Sequence, residues 1–268
     1  MNVIALSSLD LILAASLVGV LAVVSVMMQL GVAGRLVIAA VRTTVQLLLI
    51  GLVLNTLFAH VHLAWVALLA MVMLLVAGRE VMARQHRRFG GLWGYGLGTL
   101  SMFVSAFATT IFALLVIVGT DPWYEPQYAI PLLGMMLGNT MNGVALALDR
   151  LTTSAWQQRG VIEARLTLGH EWRVAIGGMT RESVRVGMIP IINAMAAAGI
   201  VSLPGMMTGQ ILSGTPPLEA VKYQILIMFM IAAGTGFATM AASWIGARRL
   251  FDERCRLRLD RLIQGRSQ

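Results

Sequence analysis

The sequence predicts an all-α, polytopic membrane protein with about seven transmembrane helices. Of its 268 residues, 58% are hydrophobic and only 12% are charged, and the mean hydropathy is +0.80. A soluble domain of this length could not bury so much apolar surface, so a lipid bilayer is the expected solvent. Apolar runs of about 20 residues recur along the chain, which is the length that a helix needs to cross the hydrocarbon. These runs lack the period-two alternation of a membrane β-barrel.

The first predicted span is interpreted as a retained helix rather than a signal peptide. It has no basic start, carries Asp10 and is not followed by a convincing small-residue cleavage site. The single cysteine, Cys255, excludes an internal disulfide framework. The predicted spans cover residues 8–29, 36–58, 63–79, 96–118, 128–148, 187–213 and 218–246.

The distribution of arginine predicts how the helices are oriented. All of the 20 basic residues except Arg42 and Lys222 fall in one set of connections or in the C-terminal tail. The opposite connections, at 60–62, 121–127 and 215–219, contain neither Arg nor Lys. The positive-inside rule therefore places the N-terminus outside and the C-terminus in the cytoplasm, in agreement with an odd number of spans. The net charge of +8 is explained by topology and by contact with membrane lipid, so nucleic acid is not an expected partner.

Residues 150–186 form the longest polar segment between two spans, and they carry helix signals throughout. The hydroxyl residues at 152–154 are candidate caps for a first helix, which Gly169 would end. A second short helix, residues 170–176, would end at Gly177-Gly178. The segment is thus predicted to hold two short helices beneath the membrane. The alternative is an amphipathic helix that lies on the inner leaflet.

Two similar phrases, "LLGMMLGN" at 132–139 and "LPGMMTGQ" at 203–210, occur in the fifth and sixth spans. Each contains a GxxxG motif, which is typical of helices that pack closely. The fifth and sixth spans would therefore cross each other, or a second subunit, at these glycines. The amides and thioethers beside the glycines are candidates for a substrate path, because unpaired polar groups are costly within a membrane.

The substrate-path candidates are polar or thioether side chains predicted to lie within the membrane. They are Met135, Met136, Asn139, Asn142, Met206 and Met207, followed by Gln210, Asn193 and Gln46. Within this set, a weak and transient metal site is predicted at Met135, Asn139, Met206 and Gln210. Thioethers favour softer metals, whereas amide oxygens are more tolerant. The alternatives are that methionine fills irregular packing gaps and that Gln46 makes an interhelical hydrogen bond.

Two further features of the predicted membrane region concern helix geometry. Arg42 lies close enough to the cytoplasmic end of its span to extend toward the interface. Pro190 predicts a kink near Asn193, and Pro204 predicts a second interruption near the outer end of the sixth span. An interrupted helix that lines a cavity is a common feature of transporters.

Several of these stretches together resemble one known family, the bacterial iron-export ABC permeases (FetB-like), whose plant relatives are linked to aluminium tolerance. In addition, Glu163, Ala164 and Gly169 resemble the "EAA---G" loop of bacterial ABC importer permeases, with Arg165 at the third position. The family resemblance is carried by "RTTVQLLLIG" (42–51), "PLLGMMLGNTMNG" (131–143), "IEARLTLG" (162–169), "IPIINAM" (189–195) and "GIVSLPGMMTGQILSGTPPLEAVKYQI" (199–225).

The resemblance implies a single transmembrane permease domain, residues 1–268, with a cytoplasmic coupling-helix segment at 150–186. Such a chain would form a homodimer in the inner (plasma) membrane, bind two copies of a separate ATP-binding subunit and export iron from the cytoplasm. ATP and Mg would bind to that partner, and this chain would bind no cofactor and have no enzymatic site of its own. The sequence contains no G-x-x-x-x-G-K-[ST] phosphate loop. The residues predicted to couple the permease to the ATPase are Glu163, Ala164, Gly169, His170 and Trp172.

Three alternative functions remain open from the sequence. An ABC permease for a nucleotide sugar or another organic anion would need cationic residues in its cavity, and Arg42 is the only candidate. A stand-alone carrier or channel would use intramembrane carboxylates for ion coupling, but Asp10, Glu80 and Asp149 all lie at span ends. A membrane enzyme would need a convergent nucleophile, base or metal cluster, and the sequence pattern offers none.

Overall fold

The computed structural model describes residues 7–59 and 61–265, so His60 of the predicted connection at 60–62 and Arg266 of the tail lie outside the described residues. The described chain is almost entirely helical. Its helices are α1 (Ser8–Met27), α2 (Ala33–Ala59), α3 (Leu63–Ala83), α4 (Gly91–Met102), α5 (Ala108–Phe112), α6 (Pro126–Gln157), α7 (Arg159–Thr167), α8 (Trp172–Ala197), α9 (Gly205–Leu212) and α10 (Pro217–Arg249). The short strands β1 (Arg87–Phe89) and β2 (Leu262–Gln264) complete it, with a 3₁₀ turn at Leu259–Arg261.

Within the described ranges, six helical segments are long and apolar enough to cross a membrane. They are α1, α2, α3, the continuous segment Gly91–Val118 that contains α4 and α5, α6 and α10. A π-helical turn, Phe103–Phe107, joins α4 to α5, and a second, Ala113–Val118, follows α5 and ends the segment. Helix α8 adds 26 residues, about 39 Å at 1.5 Å per residue. This all-α, multi-helix architecture is the one that the sequence predicts.

The predicted sixth span, 187–213, is not one continuous helix, and the interruption predicted near Pro204 is confirmed. Helix α8 ends at Ala197, and the chain then turns through Gly199, whose φ of +82° favours glycine. Helix α9 begins after Pro204 and is only 8 residues long, which gives about 12 Å and cannot cross the hydrocarbon. Pro190, by contrast, lies inside α8 without ending it.

The polar segment between α6 and α8 also differs from the predicted pair of short helices. The hydroxyl residues at 152–154 lie within α6 instead of capping a new helix. Helix α7 does end before Gly169, whose φ is +86°, so that predicted break is confirmed. The predicted stop at Gly177-Gly178 is wrong, because α8 runs through both glycines. A helical glycine costs only about 1 kcal/mol relative to alanine, which the packing of a long helix can offset.

Helix α6 lies at the centre of the fold and packs against α3, α8 and α10. Helices α6 and α8 approach closely, because a Cβ on Gly187 would lie 2.7 Å from the carbonyl oxygen of Gly143. Thr235 and Thr239 of α10 border the same point, because their methyl groups would lie 2.5 Å and 3.1 Å from a Cβ on Gly143. The core therefore forms where three helices meet around two glycines.

The GxxxG glycines do not make the predicted crossing within one chain. A Cβ on Gly138, Gly205 or Gly209 would meet no described atom within 4 Å, and a Cβ on Gly134 would meet only the Cε of Met73 at 3.2 Å. Helices α6 and α8 cross at Gly143 instead. The alternative of a second subunit at the open glycines stays a prediction.

At the arginine-rich end, the loop after α3 and the C-terminal tail are tied to α6. Strands β1 and β2 pair antiparallel, with Arg88 opposite Ile263. The Asp149 carboxylate accepts a hydrogen bond from the His86 backbone amide at 2.6 Å, and the Thr152 hydroxyl donates to the Arg87 carbonyl at 2.7 Å. The tail is thus part of the folded structure.

Candidate functional site

A cavity of about 190 Å³ lies between α6, α9 and α10, near the first turns of α6 and α10. Three methionines line it, one from each helix: Met135, Met206 and Met230. The side-chain amide of Gln210 lines the same cavity, and its Oε1 is buried without a hydrogen-bond partner in the described part of the chain. The cavity therefore combines three thioethers with one unsatisfied amide oxygen.

Several hydroxyl and amide side chains also line this cavity. Gln127 and Tyr128 come from the first turn of α6, Thr215 precedes α10, and Tyr223 lies in its second turn. Both tyrosines remain partly exposed. None of the lining residues carries a formal charge.

The structure brings together three of the four residues of the predicted transient metal site. Met135, Met206 and Gln210 all line the cavity, although they come from two separate helices. Asn139 does not line it, because its Nδ2 donates to the backbone carbonyl of Met135 at 2.8 Å, one turn earlier in α6. Met230, which was not among the four predicted residues, lines the cavity together with Met135, Met206 and Gln210. The role of these residues in transport stays a prediction.

The other predicted path residues lie outside this cavity. Met136 is only 1% exposed and packs against α10, where a Cβ on Gly234 would overlap its Cε. Met207 follows Met206 in α9 but lines no part of the cavity. Asn142 accepts a hydrogen bond from the guanidinium of Arg84.

Asn193 and Gln46 are exposed on α8 and α2. Neither lines the cavity between α6, α9 and α10. Their positions therefore give no support to the predicted role in a path.

The sequence did not predict three of the residues that line the cavity, namely Met230, Tyr128 and Tyr223. Met230 lies in a long apolar run of α10, where a thioether gives no signal that separates it from packing residues. The two tyrosines lie at helix starts, and only the fold brings them to one cavity. The repeated phrase was the one signal that identified part of this site.

The donor set determines what the cavity can hold. In residues 7–59 and 61–265, no group of three or more His, Cys, Asp and Glu is placed to bind a metal ion. Thioether sulfur and amide oxygen are neutral, and sulfur prefers softer cations. An unsatisfied buried acceptor such as the Gln210 Oε1 costs about 1–3 kcal/mol, which a cation or hydrogen-bond donor in the cavity would relieve. The site suits a weakly held, partly dehydrated cation.

Helix α7 has one buried face and one exposed apolar face. Ile162 is fully buried, and Leu166 packs against the core one turn later. On the other face lie Val161, Ala164 and Leu168, and Leu168 is 79% exposed. Residues three and four apart share a helix face, so these three form one exposed apolar stripe.

The five predicted coupling residues divide into two groups. Glu163, Ala164, Gly169 and His170 are exposed around the end of α7. Trp172, at the start of α8, is half-buried, and its ring centroid lies 5.8 Å from that of Phe251 in the tail. Four of these residues are thus accessible to a partner, whereas Trp172 has a packing contact.

The charged residues at the span ends are engaged within the chain. Arg42 forms an ion pair with Glu80 at 3.2 Å, which joins α2 to α3. The Asp149 carboxylate contacts His86, and Asp10 completes a capping box with Ser7 at the start of α1. Asp10 and Glu80 therefore lie in a terminal turn of their helices, as predicted, whereas Asp149 lies within α6, which continues to Gln157; each carboxylate has a local partner.

Comparisons with known proteins show the family. Residues 8–251 match the family described as "Uncharacterised protein family (UPF0014)". The UPF0014 membrane protein slr1647 of Synechocystis is 39% identical, over 84% of this chain and 86% of the relative. Protein ALUMINUM SENSITIVE 3 of Arabidopsis thaliana is 30% identical, over 87% of this chain and 84% of the relative.

A third relative is named as a permease. The "Probable iron export permease protein FetB" of Escherichia coli is 30% identical, over 81% of each chain. No solved structure matches. The predicted family resemblance is confirmed. The prediction of a multi-pass membrane protein is confirmed as well, and the inner membrane suits such a protein. The chain belongs to the UPF0014 family of membrane proteins.

Proposed function

We propose that this chain is the membrane-spanning permease subunit of an ATP-driven ABC transporter that exports iron from the cytoplasm. The observation that carries the proposal is the cavity formed by Met135, Met206, Met230 and Gln210, which offers neutral thioether and amide ligands. Such ligands hold a cation weakly enough to release it. The name of the Escherichia coli relative, a probable iron export permease, supports the same cargo.

The size and charge of the cavity favour an ion over an organic anion. Its volume of about 190 Å³ is below the roughly 300–1,000 Å³ of typical pockets for drug-sized organic ligands. No lining residue is basic, whereas a nucleotide sugar carries phosphates that require cationic partners. Arg42, the candidate for such a partner, is paired with Glu80 on another part of the molecule.

ATP and Mg would bind to a separate ATP-binding subunit, and α7 would be the element that contacts it. The exposed stripe of Val161, Ala164 and Leu168 is apolar on a helix that is otherwise anchored by Ile162. A groove on a partner protein would bury this stripe. The alternative, contact with the inner leaflet, uses the same stripe but predicts no ATPase complex. The remaining partners would be a second copy of this chain and a second ATPase subunit.

Motion of α7 has a direct route to the cavity. The guanidinium of Arg165 donates to the Ala175 carbonyl at 3.0 Å, so α7 and the start of α8 would move together. Helix α8 meets α6 and α10 at Gly187, and these two helices carry Met135 and Met230. A tilt of α8 would therefore change the spacing of the methionines. In the orientation that the distribution of arginine predicts, with the N-terminus outside, the cavity would lie toward the outer side.

The experiment is to purify the chain with its ATPase partner, reconstitute both in liposomes and measure ATP hydrolysis with Fe(II) or with a nucleotide sugar. Stimulation by iron, together with ATP-dependent iron movement, is the expected result. Stimulation by the sugar alone would replace the cargo while retaining the ABC role. Failure of any ATPase to co-purify, with ATP-independent iron flux, would instead indicate a stand-alone carrier.

A further inference from the structure

A second cavity lies at the arginine-rich end of the protein, between the end of α10, the folded tail and Trp93 of α4. It has a volume of about 630 Å³ and is unrelated to the methionine cavity. Five arginines and two acidic residues line it, which leaves a surplus of three positive charges. The arginines are Arg248, Arg249, Arg254, Arg256 and Arg261.

The tail is folded in a way that holds these arginines in place. Arg261 donates to the carbonyls of Arg249 and Phe251 at 2.7 Å and 3.3 Å, and Phe251 is only 2% exposed. Pairing of β1 with β2 fixes the chain immediately after Arg261. The arginines therefore project from an ordered scaffold, which reduces the entropy lost when they bind an anion.

One of the two acidic residues, Asp252, already forms an ion pair with an arginine of the cavity. Asp252 accepts hydrogen bonds from the Nε of Arg256 and from the backbone amides of Arg254 and Arg256. The hydrogen bond from the Arg256 amide is the main cause that lowers the pKa of Asp252, so this carboxylate is ionised at neutral pH. Arg248, Arg249 and Arg254 form no ion pair with a carboxylate among the described residues.

An apolar groove continues from the basic cavity into the membrane region. Trp93 and Ile245 line both the basic cavity and a neighbouring apolar pocket of about 320 Å³. Leu100 and Ile245 in turn line that pocket and a larger groove of about 910 Å³ between α4–α5 and α10, which includes Phe237 and Ala241. The basic and apolar parts therefore form one continuous surface.

We propose that this surface is a binding site for an anionic phospholipid. The phosphate would lie among Arg248, Arg249 and Arg254, and one acyl chain would lie along the groove past Leu100. Arginine guanidinium groups bind phosphate oxygens through charge-assisted hydrogen bonds. Trp93 lies where the two parts meet, in the first turn of α4, and the guanidinium carbon of Arg249 lies 4.6 Å from its ring centroid. Tryptophan is enriched at the ends of membrane spans.

The amphipathic character of the site selects a lipid over a soluble anion or a protein segment. A free phosphate would use only the arginines and would leave the groove unused. A helix from a second copy would use the groove but would have to bring acidic residues to the arginines. A phospholipid carries its phosphate next to acyl chains, so one molecule complements both parts, and anionic lipids are enriched near basic clusters at the cytoplasmic face.

The test is native mass spectrometry of the full chain in detergent, titrated with dioleoyl phosphatidylglycerol or dioleoyl phosphatidylcholine. We expect phosphatidylglycerol to bind at least about tenfold more tightly, since the quaternary ammonium of phosphatidylcholine is repelled by the same arginines that bind its phosphate. Arg249→Gln and Arg254→Gln should each reduce this preference severalfold. Arg150→Gln, an exposed arginine at the same end but outside the cavity, is the matched control and should leave it unchanged.

A second variant tests the groove. Ala241→Trp should weaken phosphatidylglycerol binding by filling the groove, while size-exclusion elution confirms that the variant remains folded. Equal binding of the two lipids, or an equal effect of Arg150→Gln and Arg249→Gln, would overturn the proposal. Competition by inorganic phosphate together with no effect of Ala241→Trp would show a soluble-anion site instead. A dimer that excludes lipid and dissociates with Ala241→Trp would assign the groove to a second copy.

Discussion

The crossing of α6, α8 and α10 predicts a large difference between two glycines of one helix. In Gly187→Ala, the new Cβ would lie 2.7 Å from the Gly143 carbonyl oxygen and 2.9 Å from the Cβ of Ala147. These are a backbone atom and a short side chain, so neither can move aside without separating α6 from α8. Overpacking of this kind typically costs about 1–3 kcal/mol. We expect the variant to lose several degrees of thermal stability.

Gly178→Ala is the matched control because it lies in the same helix and no described atom is within 4 Å of its added Cβ. Alanine is favoured over glycine in a helix by up to about 1 kcal/mol, so this variant should be as stable as the parent protein or more stable. The assay is the loss of the monodisperse size-exclusion peak after heating in detergent. Gly187→Ala with unchanged stability, or an equal loss in both variants, would refute the close crossing.

Three further predictions concern the arginine-rich end. Gly169→Val should uncouple ATP hydrolysis from transport, because β-branched residues are strained at the φ of +86° that Gly169 adopts. Gly169→Asn should keep more of the coupling, since asparagine tolerates a positive φ better. Equal coupling in both variants would contradict the strain argument. Leu168→Glu should reduce co-purification of the ATPase partner by placing a charge on the exposed stripe of α7. Leu30→Glu, at an exposed apolar residue between α1 and α2, should not; equal losses would indicate a general effect on the membrane surface. The turn around Asp252 should persist from pH 8 to pH 5, because its carboxylate has a lowered pKa in the folded state. That stabilisation is full above the unfolded pKa of about 3.9 and is lost progressively as the pH falls from there through the lower pKa of the folded state. Hydrogen exchange of the tail amides, corrected for intrinsic rates, is the measurement, and loss of protection between pH 8 and pH 5 would contradict the prediction.

The helices of this protein were largely predictable because the bilayer imposes a length and a composition on each span. Pro204 predicted an interruption of the sixth span, but the sequence did not show that the turn starts already after Ala197, since the apolar composition continues through it to Gly205. An apolar composition indicates that a segment lies in the membrane, but it does not indicate where the helix ends. The turn depends on the backbone conformation at Gly199. For the same reason Gly169 and Gly178 look alike in sequence, although only Gly169 has a positive φ.

The candidate site was predictable only where the sequence repeats itself. The shared phrase identified Met135, Met206 and Gln210, which the fold brings to one cavity. Met230 carried no local signal, because its contribution depends on how α10 packs against α6. Three-residue strands separated by more than 170 residues, such as β1 and β2, give no periodicity to detect, so the folded tail and its basic cavity could not be predicted.

The proposed function requires iron to pass the cavity between α6, α9 and α10. The most direct measurement is Fe(II)-stimulated ATP hydrolysis by the reconstituted transporter, compared among Met135→Leu, Met206→Leu and Met207→Leu. Leucine keeps the apolar volume and removes the thioether. We expect the first two variants to lose iron stimulation, whereas Met207→Leu, next to Met206 but outside the cavity, should retain it. Equal stimulation in all three variants would contradict the claim and leave the methionines as packing residues.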